Sequence, residues 1–315
     1  MQVYLDLILL KEDDKPYIGG EEIKGQIELS VKEPIKITRL SLRIFGEMQT
    51  SWSEKRTDNT FKSREFVLDE YIDLTSELFM HCNDPNEFLD GNHRFEFKTK
   101  LPLDVVSSID RENFGFVRYT CMASLDVDGG DSIIVAERDF KVVSFLNLDA
   151  PYLKEPVKSN GEVNLLTRCF RKPKGTVRAE VQVAELGETV RVQIDFENTS
   201  KRRRFISKKT QKCVLLSLCQ QLDFKSQSTV NPKSYGEKSL TIALHSQGTC
   251  KSAPGTGPET RFIEFDVPEN LPPTTIRANG LITCSYFFRL NMNHFDVIVP
   301  IIVGSVKTFG SEVFH

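Results

Sequence analysis

The sequence has no Cys-x-x-Cys pair, no Gly-x-Ser-x-Gly elbow, no phosphate loop ending in Gly-Lys-Ser/Thr and no His-Glu-x-x-His. Each absence removes a class of chemistry: thioredoxin-like redox work or zinc ribbons, serine hydrolysis, nucleotide hydrolysis, zinc proteolysis. The five histidines (His81, His93, His245, His294 and His315) are scattered, and nothing in chain order pairs the carboxylates. No catalytic residue, cofactor or metal ligand set is therefore expected. The seven cysteines (Cys82, Cys121, Cys169, Cys213, Cys219, Cys250 and Cys284) are odd in number. Several stand in apolar strand patterns, which suits free buried thiols in a reducing compartment.

Long apolar runs are also missing. The longest near the end, Val297 to Val303, is far too short to span a bilayer. The start, Met1 to Leu10, lacks a basic segment and carries Asp6 inside its apolar run, so it reads as a strand and not as a signal peptide. Met1 is not followed by Gly and no prenylation box closes the sequence, so lipid anchoring has no motif. A net charge of −3 is too small to point to nucleic acid, and none is expected as a partner. With 39% apolar and 27% charged residues the composition is that of a globular protein.

What the chain does have is a repeat. Gly20-Glu21 opens Glu22-Ile23-Lys24-Gly25-Gln26-Ile27, and Gly187-Glu188 opens Thr189-Val190-Arg191-Val192-Gln193-Ile194, an offset of 167 (187 minus 20). The same offset relates Tyr119 to Tyr286, and Leu101-Pro102 matches Val267-Pro268 with a drift of one. A chain repeating once at domain length is two copies of one fold.

The dominant periodicity is two, as in Leu40-Ser41-Leu42-Arg43-Ile44 and Val177-Arg178-Ala179-Glu180-Val181. Such alternation buries one face of a strand and wets the other, which suits antiparallel sheets packed face to face. Turn signals punctuate the strands at Gly19-Gly20, Asp128-Gly129-Gly130, Lys174-Gly175, Tyr235-Gly236 and Asn279-Gly280. A turn or two of helix is expected within Thr75–Leu89, interrupted by Asn83-Asp84-Pro85-Asn86, and an exposed loop over Ser246–Thr260. Pro300 inside an apolar strand predicts an edge or a bulge there. The fold class expected is all-β, with two tandem immunoglobulin-like antiparallel sandwiches: residues 1–146, a connector at 147–158, residues 159–308, and a tail at 309–315.

Three local features invite a functional reading. Lys201-Arg202-Arg203-Arg204, followed by Lys208, Lys209 and Lys212, concentrates positive charge. It reads as a patch for phospholipid headgroups or an acidic or phosphorylated tail, or as a solvated hairpin loop. Asp126-Val127-Asp128-Gly129-Gly130-Asp131 with Glu137 has the outline of a calcium loop, but Asp131 stands where that loop needs Gly. A hairpin turn on Asp128-Gly129 is the reading taken. Cys250, beside Lys251 in Gly248-Thr249-Cys250-Lys251, is a candidate reactive thiol, with an ordinary surface thiol as the alternative.

Several blocks resemble the α-arrestins, the arrestin-domain-containing proteins. They are Pro16-Tyr17-Ile18-Gly19-Gly20-Glu21; Leu42-Arg43-Ile44-Phe45-Gly46-Glu47 with Trp52; and Gly91-Asn92-His93-Arg94-Phe95-Glu96-Phe97 through Leu101-Pro102 to Gly115-Phe116-Val117-Arg118-Tyr119. Asn147-Leu148 with Pro151 and Pro156 resembles the family's connector. Asn198-Thr199-Ser200, Val267-Pro268 with Pro272-Pro273, Ser285-Tyr286 and Val299 to Gly304 follow in order.

The resemblance implies the arrestin fold and an adaptor or scaffold, cytoplasmic and peripherally recruited to plasma or endosomal membrane. Its implied partners are cytoplasmic tails of membrane proteins, endocytic or ubiquitin-ligase machinery, and anionic phospholipid. The sequence contains no Pro-Pro-x-Tyr, since Pro272-Pro273 is followed by Thr274-Thr275, so the ligase-recruiting motif of the family is not found in it. Two rival functions stay open: a coat-type, retromer-like trafficking subunit, and a redox-linked binding protein acting through Cys250. The latter follows a thioredoxin-binding subset of the family with a similar Gly-Thr-Cys setting.

Overall fold

A computed structural model describes residues 3–55, 58–80, 89–111, 113–127, 133–148, 158–162, 174–179, 183–198, 214–249, 257–275, 280–292 and 295–305. By contacts the chain divides into two compact units, residues 1–145 with 224–237, and residues 146–223 with 238–315.

The first unit contains β1 (Val3–Leu9), β2 (Tyr17–Ile18), β3 (Glu22–Ile35), β4 (Ile37–Glu54), β5 (Asn59–Asp73), α1 (Thr75–Met80), β6 (Leu89–Lys100), β7 (Ile109–Arg111), β8 (Gly115–Val127), β9 (Ile133–Phe140) and β10 (Val142–Val143). Its sheets run β1-β3-β6 and β5-β4-β8-β7, with β9 also paired to β8, and a small parallel pair joins β10 to β2. Alternation decides what is inside. Leu5, Leu7, Ile23, Ile27 and Leu29 from one sheet are buried, as are Leu40, Leu42, Ile44, Tyr119, Cys121 and Leu125 from the other. Each of these strands therefore hides every second residue, as the period of two requires.

Residues 224–237 belong to this unit through specific bonds. Thr229 N–H donates to the Thr60 carbonyl at 2.9 Å. Gln227 N–H reaches Ser63 Oγ at 2.9 Å, and Thr50 Oγ1 donates to the Lys225 carbonyl at 2.8 Å. Thr50 and Ser226 are fully buried, and the Thr50 bond together with that from Ser226 Oγ to Ser63 Oγ at 3.3 Å satisfies hydroxyls that would otherwise be costly to hide.

The second unit contains β11 (Lys158–Glu162), β12 (Lys174–Ala179), β13 (Val183–Glu185), β14 (Thr189–Asn198), β15 (Val214–Gln227) up to Asp223, β16 (Tyr235–Thr249) from Lys238, β17 (Gly257–Asp266), β18 (Ile282–Met292) and β19 (Phe295–Gly304). Its sheets run β11-β12-β14-β17 and β13-β19-β18-β15-β16. Val190, Val192 and Ile194 face Leu218, Tyr286, Phe288 and Val299 in a core closed by the Phe265–Phe288 ring pair, 5.4 Å between centroids. Both units are thus sandwiches of mainly antiparallel sheets, as the alternation predicts, with short parallel pairs only at β2–β10 and β13–β19 among the described residues.

The repeat is physical as well as textual. Gly20 and Gly187 both take left-handed backbone, φ +87° and +82°, where a side chain is strained. The carboxylate of Glu21 accepts the Ile18 N–H at 2.9 Å, and that of Glu188 accepts the Glu185 N–H at 3.0 Å. Leu101 N–H donates to the Glu21 carbonyl and Val267 N–H to the Glu188 carbonyl, both at 2.9 Å. Tyr119 and Tyr286 each send a hydroxyl to a backbone carbonyl at 2.6 Å.

Helix α1 falls where a short helix is expected. β8 and β9 pair antiparallel up to Asp126↔Ile133, and Glu137 lies on β9 opposite Met122. Strands and not helices therefore flank the Asp126–Asp131 segment, as the hairpin reading requires; the turn at 128–132 lies outside the described residues. At Pro300, β19 pairs with Phe287 of β18; β13 meets β19 from Ile302 onward, and residues 180–182, which precede β13, lie outside the described residues.

Three expectations need correction. Ser246–Thr260 is not a continuous loop: β16 runs to Thr249 and β17 starts at Gly257, with 250–256 outside the described residues. Ser246 Oγ bonds Ser217 Oγ at 2.8 Å, so polar residues here pair across strands. Lys174-Gly175 and Tyr235-Gly236 are not turns but open β12 and β16. At Gly236 the cause is close approach, because a Cβ there would lie 2.7 Å from the Phe61 ring. Of the connector, residues 149–157 lie outside the described residues, while Leu148 is buried against Gly304 within the second unit.

Candidate partner-docking edges

Among the described residues no group of three or more His, Cys, Asp or Glu could hold a metal ion, and no helix is long and apolar enough to cross a membrane. Burial pushes the Cys121 thiol up to about 12 and raises that of Cys219, which makes both poor nucleophiles. What the sandwiches offer is unpaired strand backbone.

β1 is an edge of its sheet, with β9 of the opposite sheet packed close to it but not paired with it in a ladder. Among the described residues its ladder partner is β3 alone. Leu10 N–H donates to the Lys24 carbonyl, extending the register Leu9↔Gly25. In an antiparallel ladder bonded and non-bonded pairs alternate, so even-numbered residues of β1 bond β3. The N–H and C=O groups of Val3, Leu5, Leu7 and Leu9 then point to the open side. One of them is capped: the Asp6 carboxylate accepts the Leu7 N–H at 2.8 Å. The outer side chains are largely apolar, with Tyr4 63% and Leu10 65% exposed and Ile8 half-buried.

β6 is a blunted edge. Leu101 bonds Glu21, so the backbone of Lys100, Lys98, Glu96 and Arg94 faces outward, and each of these carries a charge. Charged side chains along an edge resist strand addition. Lys24 lies directly opposite Lys98, and Lys24, then Lys98 and Lys100, hold the Glu22 carboxyl below its ordinary range. In the second unit the open side of β17 is partly capped, since Gln247 Nε2 donates to the Glu264 carbonyl at 3.0 Å.

The sites expected from sequence fall elsewhere. Lys201, Arg202, Arg203, Arg204, Lys208, Lys209 and Lys212 lie outside the described residues, between the end of β14 at Asn198 and the start of β15 at Val214. Cys250 also lies outside them, directly after β16. The Asp6 cap was missed by sequence reasoning. Its signal is an acid in an otherwise apolar alternation, but the role depends on ladder parity, which letters alone do not fix.

Comparison with known proteins adds the ancestry. The arrestin (or S-antigen) N-terminal domain matches residues 2–149, and the arrestin (or S-antigen) C-terminal domain matches residues 175–308. "Arrestin domain-containing protein 17" of Caenorhabditis elegans is 26% identical over 98% of this chain and 72% of its own length. "Arrestin domain-containing protein 5" of Homo sapiens is 24% identical over 68% of this chain and 60% of its own length. For the human "Arrestin domain-containing protein 4" the values are 24%, 62% and 49%. The chain thus spans less than two thirds of these human relatives. Two arrestin domains in order, on two repeated sandwiches, place the chain in the arrestin family, as a member of its α-arrestin, or arrestin-domain-containing, branch.

Proposed function

We propose that this protein is an adaptor that takes up extended cytoplasmic tails of membrane-protein cargo and links them to trafficking, endocytosis or ubiquitin-dependent turnover. Arrestin-family proteins are in general non-enzymatic adaptors. The observation that carries the reading is the open β1 edge, with outward backbone at Val3, Leu5, Leu7 and Leu9 and apolar side chains at Tyr4, Ile8 and Leu10. An extended tail adding to such an edge gains main-chain hydrogen bonds for affinity, and alternate side chains supply specificity. The adaptor works in the cytoplasm, recruited peripherally to plasma or endosomal membrane. The run Lys201 to Lys212 contributes attraction to anionic phospholipid there.

The test is affinity purification from the native cell, with Leu9→Pro as the discriminating variant. The Leu9 N–H faces the open side, so proline removes a donor to the cargo and none to β3. Cargo tails recovered with the wild-type chain should be lost with this variant while its melting stays cooperative. Undiminished capture would remove β1 from the reading, and recovery of no membrane protein would remove the reading itself.

A further inference from the structure

The outward face of the β5-β4-β8 sheet carries three arginines built on one plan. Arg43 forks onto Asp69, Nε to Oδ1 at 2.7 Å and Nη2 to Oδ2 at 3.0 Å. Its guanidinium lies 4.7 Å from the Phe45 ring centre, 5.0 Å from Phe66 and 5.6 Å from Tyr71. Arg64 bonds Glu47 at 2.7 Å and lies 5.0 Å from the Phe66 ring. Arg118 bonds Asp110 at 2.8 Å and lies 4.3 Å from the Phe116 ring. Register puts them on adjoining rows: Tyr71-Arg43-Met122, Asp69-Phe45-Thr120, Phe66-Glu47-Arg118 and Arg64-Gln49-Phe116. Phe66 and Tyr71 remain 45% and 63% exposed.

Each guanidinium lies within about 5 Å of a ring centre and bonds its own carboxylate. Such a surface is rigid before binding, so little side-chain entropy is lost when it is covered. Arginine and aromatic residues are the types that dominate interface energetics. Because every arginine here already has a carboxylate, the face does not select an anion. Its size also limits the occupant. The rows from Arg43 to Gln49 extend about 20 Å along β4 and about 15 Å across the strands, roughly 300 Å² by strand geometry. A stable globular interface buries about 800 Å² on each partner. About six extended residues would cover the length of the face.

We propose that this face, centred on Arg43, Phe66 and Tyr71, docks a short extended segment of a partner protein with uncharged aliphatic or aromatic side chains at alternate positions. The proposal rests on the adaptor reading and gives that adaptor a second binding surface besides β1.

The test uses the full chain as bait for a phage library of short random peptides, with enriched peptides resynthesised and their affinity measured by fluorescence anisotropy. The expected peptides alternate apolar residues, bind with little dependence on salt, and shift the Met122 methyl resonance. Phe66→Ala with Tyr71→Ala should weaken them about tenfold, as truncation of aromatic anchors does. Arg43→Lys, which keeps the charge and loses the planar fork, should also weaken them. Acidic peptides with salt-sensitive binding, equal affinity for the double variant, or no enriched peptide would each overturn the proposal. So would binding to phosphatidylserine vesicles that the same variants abolish. Cargo tails still captured by the Phe66/Tyr71 variant would leave the adaptor reading standing, so the two can fail separately.

Discussion

Tyr119 and Tyr286 occupy equivalent positions in the two sandwiches, and each donates its hydroxyl to a backbone carbonyl, Val106 or Pro272, at 2.6 Å. Both rings are almost wholly buried. The bond ties a strand to the segment just before it in the chain, at the same place in each copy. The second copy has one partner more, since Gln220 Nε2 donates to Tyr286 Oη at 2.8 Å.

Tyr119→Phe leaves the partly buried Val106 carbonyl without its donor, at a cost of about 1 kcal/mol. Tyr286→Phe removes the hydroxyl from both the Pro272 carbonyl and the Gln220 amide, leaving each only a weak contact to Cys284 Sγ at 4.0 and 3.5 Å, so it should cost more. Denaturant melts of the two variants check the order. Equal or negligible losses would show that the hydroxyl bonds do not hold these segments.

Gly20→Ala and Gly187→Ala each place a side chain in left-handed backbone, a strain of about 1–2 kcal/mol. The Cβ at residue 20 would also lie 2.7 Å from Leu103 Cδ2 on an exposed side chain, and at residue 187 it meets Glu269 Cγ less closely, at 3.1 Å. Gly20→Ala should therefore lower the melting temperature further than Gly187→Ala. The reverse order would contradict the contacts described.

Asp6→Ala exposes the Leu7 N–H on the open side of β1, where another strand can take it. The expected result is concentration-dependent self-association by sedimentation velocity. Asp6→Asn keeps an acceptor oxygen and should stay close to wild type. An Ala variant as monodisperse as wild type would show that the cap does not guard the edge.

The hydrogen bonds from Arg43, more than its charge alone, hold the Asp69 carboxyl below its ordinary range. A depressed folded pKa stabilises the native state above the unfolded value, and that contribution is lost as pH falls through the folded value. The pair is partly exposed, so its worth is under about 1 kcal/mol. Wild type should be slightly more stable than Asp69→Asn at neutral pH, and the difference should close in acid below the carboxylate range. A gap that widens in acid would reverse the sign assigned here.

The sandwiches were legible because burial repeats every second residue, as in Val190, Val192 and Ile194. The duplication was legible because Gly20 and Gly187 meet the same backbone demand, φ near +85° in both copies, and few residues other than glycine do so readily. The glycine at 236 misled for the same reason, since a glycine required by a close neighbour, here the Phe61 ring, looks like one required by a turn. The Arg43 cluster was not legible. Arg43 and Phe45 are neighbours in sequence, but Phe66, Asp69 and Tyr71 reach them only through the pairing of β4 with β5. The carbonyls of Val106 and Pro272 were equally hidden, because any residue supplies a carbonyl.

The pairing of β4 with β5 skips Val67, so that Gly46 faces Leu68 and Glu47 faces Phe66. That single surplus position lets even-numbered Phe66 share a surface with odd-numbered Asp69 and Tyr71. The cluster is therefore set by counting as much as by composition. A strictly alternating strand through the same residues would turn Phe66 and Arg64 toward the interior; removing Val67 itself closes the bulge, keeps Leu68 opposite Gly46 and Phe66 opposite Glu47, and so leaves the surface in place.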